Sequence, residues 1–167
     1  SAATVELVDV FATHAGDLSE GTGVVVLDGS TLQAADLAVD GSSLYGIAAA
    51  GDGTVVDLQG GSIERSVPSS AEPTAGIGLI ASLGASVTAT DLRISENHVY
   101  GAVVSDPGSE LVLTDVDVLD TAPTDLSPRG GGILVQEGGG LVAERVSVVG
   151  SGTIGILVDA STATLTD

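Results

Sequence analysis

The chain has 167 residues, 43% of them apolar but only 2% aromatic, with no cysteine, methionine or tryptophan; 23 acidic residues face four arginines and no lysine, for a formal net charge of −19. The missing cysteines exclude disulfides and thiolate metal sites, and the charge makes nucleic acid and anionic membranes poor partners, since both need a basic footprint. No apolar run approaches the roughly 20 residues of a membrane span.

In chain order the sequence falls into six similar units and a stub. They begin at "VELVDVFA" (5–12), "LQAADLAV" (32–39), "VDLQGGSI" (56–63), "VTATDLRI" (87–94), "LVLTDVDV" (111–118) and "LVAERVSV" (141–148), with "LTD" (165–167) as the stub. The starts are 27, 24, 31, 24, 30 and 24 residues apart, so the unit is 24, with insertions in alternate units. Each unit carries three short apolar pulses. In the fifth, Leu111 and Leu113 alternate with outward neighbours, Asp115 breaks the alternation, Val116 and Val118 resume it, and "GILV" adds Ile133 and Val135. Period-2 runs this short are strands, not helices. Three such strands cannot close a core within one unit, whereas stacked units can, each coil covering the apolar side of the next.

The rhythm predicts an all-β fold, a single-stranded parallel β-helix of about six rungs with three short strands per rung, spanning 1–167 as one domain. At about 4.8 Å per rung the body is about 29 Å long. The stretch "ISENHVYGAVVSDPGSELVLTDVDV" (94–118), with Asn97 four residues before Gly101, resembles the right-handed parallel β-helix family, the pectate-lyase-like fold in its bacterial repeat versions. The resemblance implies a right-handed coil. It also implies that carbohydrate-processing members place their cleft along the sheet that follows the glycine, where acidic or basic residues handle proton transfer or calcium.

Several columns follow from the register. Gly23, Gly46, Gly78, Gly101, Gly132 and Gly155 are expected where the chain turns out of a loop and packs on the rung below. Asp9, Asp36, Gly60, Asp91, Asp115, Arg145 and Asp167 are expected at the bend between the first two strands, where aspartate tolerates left-handed backbone; Gly60 and Arg145 interrupt the column and argue against a calcium ladder. After each glycine, Val25, Ala48, Ile80, Val103, Leu134 and Leu157 should face outward as an aliphatic stripe. Such a stripe needs cover from loops, a partner or a flanking segment. Tyr45 and Tyr100 read as turn packing. The outward column Gln33, Asp57, Thr88, Val112, Val142, Thr166 is no threonine ladder of the ice-binding kind.

Candidate binding residues sit in three long loops leaving one corner: "THAGDLSEGT" (13–22), "ERSVPSSAEPTA" (64–75) and "LDTAPTDLSPRGG" (119–131). They are His14, Asp17, Glu20, Glu64, Arg65, Glu72, Asp120, Asp125 and Arg129, and the interface stripe is Val25, Ile80, Val103, Leu134 and Leu157. No catalytic residue is assigned. No carboxylate pair suits a glycosidase, no base stands beside a charge-stabilising group, and His14 and His98 form no metal constellation. No cofactor is expected, although an acidic surface attracts calcium. Chain ends at Ser1 and in mid-pattern at "LTD" fit a processed or excised part of a longer chain. The reading leans away from an enzyme. It favours a secreted or cell-surface scaffold that presents acidic loops and the stripe to a protein or polysaccharide partner, with self-association through the terminal rungs or the stripe. The alternative is a carbohydrate-active lyase or hydrolase with catalytic residues in the long loops.

Overall fold

A computed structural model describes residues 4–8, 11–13, 21–69, 71–125 and 128–167, with backbone alone for the first two segments. The first rung supplies β1 (Thr4–Val8), β2 (Phe11–Thr13) and β3 (Val24–Leu27). The second supplies β4 (Thr31–Ala35), β5 (Ala38–Asp40) and β6 (Tyr45–Ala50), and the third β7 (Val55–Gln59), β8 (Ser62–Glu64) and β9 (Ile77–Ser82). The fourth holds β10 (Ser86–Thr90), β11 (Arg93–Ser95) and β12 (Val99–Ser105), and the fifth β13 (Glu110–Thr114), β14 (Asp117–Leu119) and β15 (Gly130–Gln136). The sixth holds β16 (Gly140–Glu144), β17 (Ser147–Val149) and β18 (Ile156–Asp159), and β19 (Thr162–Thr166) opens a seventh turn.

Every pairing between strands is parallel, and each strand pairs with its equivalents one rung away. Three sheets result: sheet A of seven strands from β1 to β19, sheet B of six from β2 to β17, and sheet C of six from β3 to β18. This is an all-parallel, three-sheet solenoid of about six repeats, consistent with the right-handed β-helix superfamily. The expected register holds from Val5 through Leu32, Val56, Val87 and Leu111 to Leu141.

The last step departs from expectation. Leu141 pairs with Ala163, not Leu165, so the final spacing is 22 residues and Thr164, not Thr166, stands beside Val142. The difference lies in the corner between sheets C and A, which spans 51–54 and 106–109 in the earlier short rungs but only 160–161 in the last. Asp167 nonetheless follows Thr166 at the expected bend position, one residue past the pair Glu144–Thr166.

The interior is a stack of aliphatic columns. Val39, Ile63, Ile94 and Val118 line sheet B, and Leu32, Val56, Val87, Leu111 and Leu141 line sheet A, all buried. A neighbouring column alternates small and large, Ala34, Leu58, Ala89, Leu113, Ala143, so each leucine spreads over the alanines beside it. That alternation fills a triangular core without aromatics.

Three corners turn the ribbon, each opening on a residue with positive φ, and most corners between C and A add a left-handed glycine. Between A and B the opening residues are Asp36, Gly60, Asp91, Asp115 and Arg145; between B and C they are Gly41, Arg65, Glu96, Asp120 and Gly150. Between C and A they are Asp28, Gly51, Leu83, Asp106, Glu137 and Ala160. A left-handed residue swings the chain by a third of a turn and aims its N–H at the next rung. Asp36 donates to the Gln59 carbonyl (2.8 Å), Gly41 to Glu64 (3.0 Å) and Asp28 to Ala50 (3.2 Å).

The glycine column is present, but its cause differs from the expected sharp turn. None of Gly23, Gly46, Gly78, Gly101, Gly132 or Gly155 has positive φ. A Cβ at Gly101 would lie within 3.0 Å of both the Val118 side chain and the Gly132 carbonyl oxygen. The clash is with the following rung, not the one below. Beside this column runs a second, of which the sequence reading singled out only Asn97: Ser42, Ser66, Asn97 and Thr121, all buried. Asn97 ties two rungs together, since its Nδ2 donates to the Ile63 carbonyl (3.1 Å) and its Oδ1 accepts from the Ser66 N–H (2.9 Å).

Candidate functional site

The outward stripe lies where the register puts it, Val25 beside Ala48, Ile80, Val103, Leu134 and Leu157. Its cover comes partly from the chain itself. Val103 and Leu134 are only 3% and 5% exposed, packed with Ile77, Val99 and Tyr100, and with Tyr45, Ile80 and Leu157 around them. Val25, at the other end, is 52% exposed. The tyrosines are therefore not corner packing. Tyr45, Ile77 and Tyr100 share one register row on sheet C and form the stripe's companion column.

Two features place Tyr100. It stands in register with Gly131 of the next rung, and a Cβ there would strike the Tyr100 ring, so the ring lies against that glycine. Its backbone is held by an unusual turn. Val99 has φ 65° although it is β-branched and buried, and the Tyr100 N–H donates back to the His98 carbonyl (2.8 Å). That is a γ-turn of the rare positive-φ form, a strained arrangement. Glycine occupies the equivalent place in the flanking rungs, as Gly76 (φ 92°) before it and Gly130, the register partner of Val99, after it.

Beside the ring is an open groove of about 350 Å³. Its apolar surface is Tyr100, Leu134, Ile154 and Leu157; Arg129, Gln136 and Asp159 border it, with Pro128 and Thr153 completing the wall. Thr153 Oγ1 accepts the Gly130 N–H (3.2 Å). The side chains of Arg129, Gln136 and Asp159 have no hydrogen-bond or ion-pair partner among the described residues. Arg65, Arg93 and Arg145 by contrast are all neutralised locally, by Asp40 (2.6 Å), Glu64 (3.7 Å) and Asp115 (2.6 Å) respectively.

The sequence candidates do not converge on one point. His14, Asp17 and Glu20 lie outside the described residues. Glu64 ends β8 and Arg65 is the next corner residue; with Asp40, Arg93, Ser95 and Glu96 they form an ion-pair and hydrogen-bond network along sheet B. The Asp40 carboxylate, hydrogen-bonded to Arg65, raises the pKa of that guanidinium further. Asp120 is a corner residue whose N–H donates to the Val149 carbonyl (2.8 Å), and Asp125 is exposed in the loop between β14 and β15. Glu72 is exposed in the loop between β8 and β9; burial first, then the Glu72 carboxylate, raises the Tyr45 phenol above its ordinary value. Of the described loop candidates only Arg129 reaches the groove, with Leu134 and Leu157 of the stripe. Gln136, Asp159 and Tyr100 were missed as groove residues, and the signal for the last was a tyrosine in register with a glycine one rung on.

Among the described residues no group of three or more His, Asp or Glu side chains is placed to hold a metal ion, and no helix is long and apolar enough to cross a membrane. No family model, no curated protein and no solved structure matches the chain. The solenoid and its groove carry the functional reading by themselves.

Proposed function

We propose that the chain is a non-enzymatic binding scaffold, a bacterial pectate-lyase-like β-helix that is secreted or displayed at the cell surface. It presents the outer side of sheet C to a polysaccharide or protein partner. The observation that carries this reading is the groove beside Tyr100. An apolar floor edged by a few polar side chains without partners in the described chain is the usual composition of a ligand site. Arg129 supports it further as the one arginine among the described residues that its own acids do not engage.

The reading is tested by affinity electrophoresis through gels containing neutral or acidic polysaccharides, and by pull-down with candidate surface proteins, while product release is followed with and without calcium. Arg129→Ala and Gly131→Ala, the latter displacing the Tyr100 ring, should weaken retention by roughly tenfold or more. Glu64→Ala and Asp120→Ala, away from the groove, should leave it unchanged. Turnover that collapses in Arg129→Ala, or in Glu64→Ala or Asp120→Ala, would instead establish a carbohydrate-active enzyme.

A further inference from the structure

With no lysine and four arginines, these residues offer four bonds to a protease whose primary pocket ends in a carboxylate. Three of them are closed by the coil. Arg93 lies inside β11, paired with Ser62 on one side and Asp117 on the other. Arg65 and Arg145 are corner residues at φ 55° and 52°, and their N–H groups donate to the carbonyls of Ser95 (3.2 Å) and Thr166 (3.0 Å). A protease takes its substrate as a free extended strand, so each of these bonds becomes available only when a rung unstacks.

Arg129 differs on every count. Arg129 and Pro128 are exposed and belong to no strand. Proline holds φ near −65°, inside the extended range. The two residues that follow are Gly130 and Gly131, so lifting the start of β15 into a protease cleft uncovers no side chain of its own. It breaks the two bonds between Gly130 and Thr153, one from the Gly130 N–H to Oγ1 (3.2 Å) and one from the Thr153 N–H to the Gly130 carbonyl (3.0 Å). This exposure does not hinge on where the coil stops. Ala71, Glu72 and Thr74, in the corresponding loop two rungs earlier, stay exposed with later rungs stacked beyond them.

We propose that Arg129–Gly130 is a processing site for a trypsin-like protease, and that the cut disarms the groove without dismantling the coil. The step is a plain hydrolysis. The amide C–N bond breaks, water adds its hydroxyl to the Arg129 carbonyl carbon, and the proton released ends on the Gly130 nitrogen, leaving a carboxylate and an ammonium. The piece from Gly130 onward keeps β15, β16 and β17 laddered on β12, β13 and β14, with Ile133, Val135 and Leu141 in the dry interior. Pro128 and Arg129, which wall the groove, lose their anchor in β15, and a new carboxylate stands beside the guanidinium. That loss of binding rests on the groove being the ligand site.

Limited digestion of the whole chain with trypsin under native conditions tests this, read by intact mass, denaturing gel and gel filtration. The first cut should give fragments 1–129 and 130–167 that elute together as one particle, heavier than the uncut chain by one water. Arg129→Gln should be cut roughly a hundredfold or more slowly, because only unstacking then exposes a site. Arg129→Lys should be cut by trypsin at the same bond and spared by an arginine-specific protease. In the retention assays nicked wild type should bind roughly tenfold or more weakly than uncut. A first cut after Arg65, Arg93 or Arg145, an Arg129→Gln chain digested as fast as wild type, or fragments that part without denaturant would overturn the processing site. Nicked chain retained as well as uncut chain would overturn the switch. Uncut chain that nothing retains would refute the groove reading and the switch with it, while the fragment masses still decide the cleavage.

Discussion

Gly101 and Gly155 hold the same place two rungs apart, and neither has a backbone that demands glycine. What separates them is the rung beyond: Gly101 lies under Val118 and the Gly132 carbonyl, Gly155 under almost nothing. Gly101→Ala should therefore cost about 1–3 kcal/mol through overpacking, while Gly155→Ala should be neutral or gain about 0.4–1 kcal/mol from reduced unfolded-state entropy. Urea denaturation of the two variants makes the comparison, and equal effects would contradict the packing origin of the column. The bend column shows a second local device. Arg145 interrupts its aspartates and grips Asp115 through two bonds of 2.6 and 2.8 Å, with Glu144 as a further partner. The Arg145 hydrogen bonds hold the Asp115 carboxyl below its ordinary value. A depressed carboxyl pKa stabilises the fold above the unfolded value of about 3.9 and loses that contribution as pH falls through the folded value. Both partners are exposed, so the contribution is small and salt-sensitive. NMR titration should find Asp115 ionising below its ordinary value, and Arg145→Ala should return it there.

The His98–Val99–Tyr100 turn shows how one element sets up the groove. A buried valine at φ 65° carries strain of about 1–3 kcal/mol. Glycine removes that strain, but it also removes a buried side chain worth about 1.5–3 kcal/mol. Alanine loses two methyl groups and keeps the strained backbone. Val99→Gly should thus be no less stable than Val99→Ala, the reverse of the usual order inside a strand. Thermal unfolding of both decides it; a clearly weaker Val99→Gly would mean the turn is unstrained. The loops that follow sheet B serve the same sheet: residues 128–129 wall the groove and Glu72 acts on Tyr45.

Across the molecule, 23 acidic residues stand against four arginines, which relieve little of the repulsion. Salt screens repulsion and attraction alike, and here repulsion has far more members. Melting temperature should rise by several degrees between about 0.01 M and about 1 M sodium chloride. A falling value would place the balance with the ion pairs of Arg65, Arg93 and Arg145 instead.

The stacking itself was written in the amino-acid pattern. Inward aliphatics at Leu32, Val56, Val87, Leu111 and Leu141 recur at a spacing that only stacked turns can bury together, and aspartates at Asp36, Asp91 and Asp115 mark a left-handed corner by their own chemistry. The error at the last rung has a simple origin. A slip of two residues keeps every side chain on its face, so alternation cannot tell Ala163 from Leu165; only the two-residue corner at 160–161 does. The other two corners passed unread because Arg65, Leu83 and Glu137 are not residues that favour a left-handed backbone; the Arg65 N–H is held by the Ser95 carbonyl and the Leu83 N–H by the Asp106 carboxylate, each one rung on. The groove is a tertiary product in the same sense. Tyr100, Arg129, Gln136 and Asp159 belong to three successive rungs, and they meet because parallel pairing lays those rungs side by side and Gly131 leaves room for a ring.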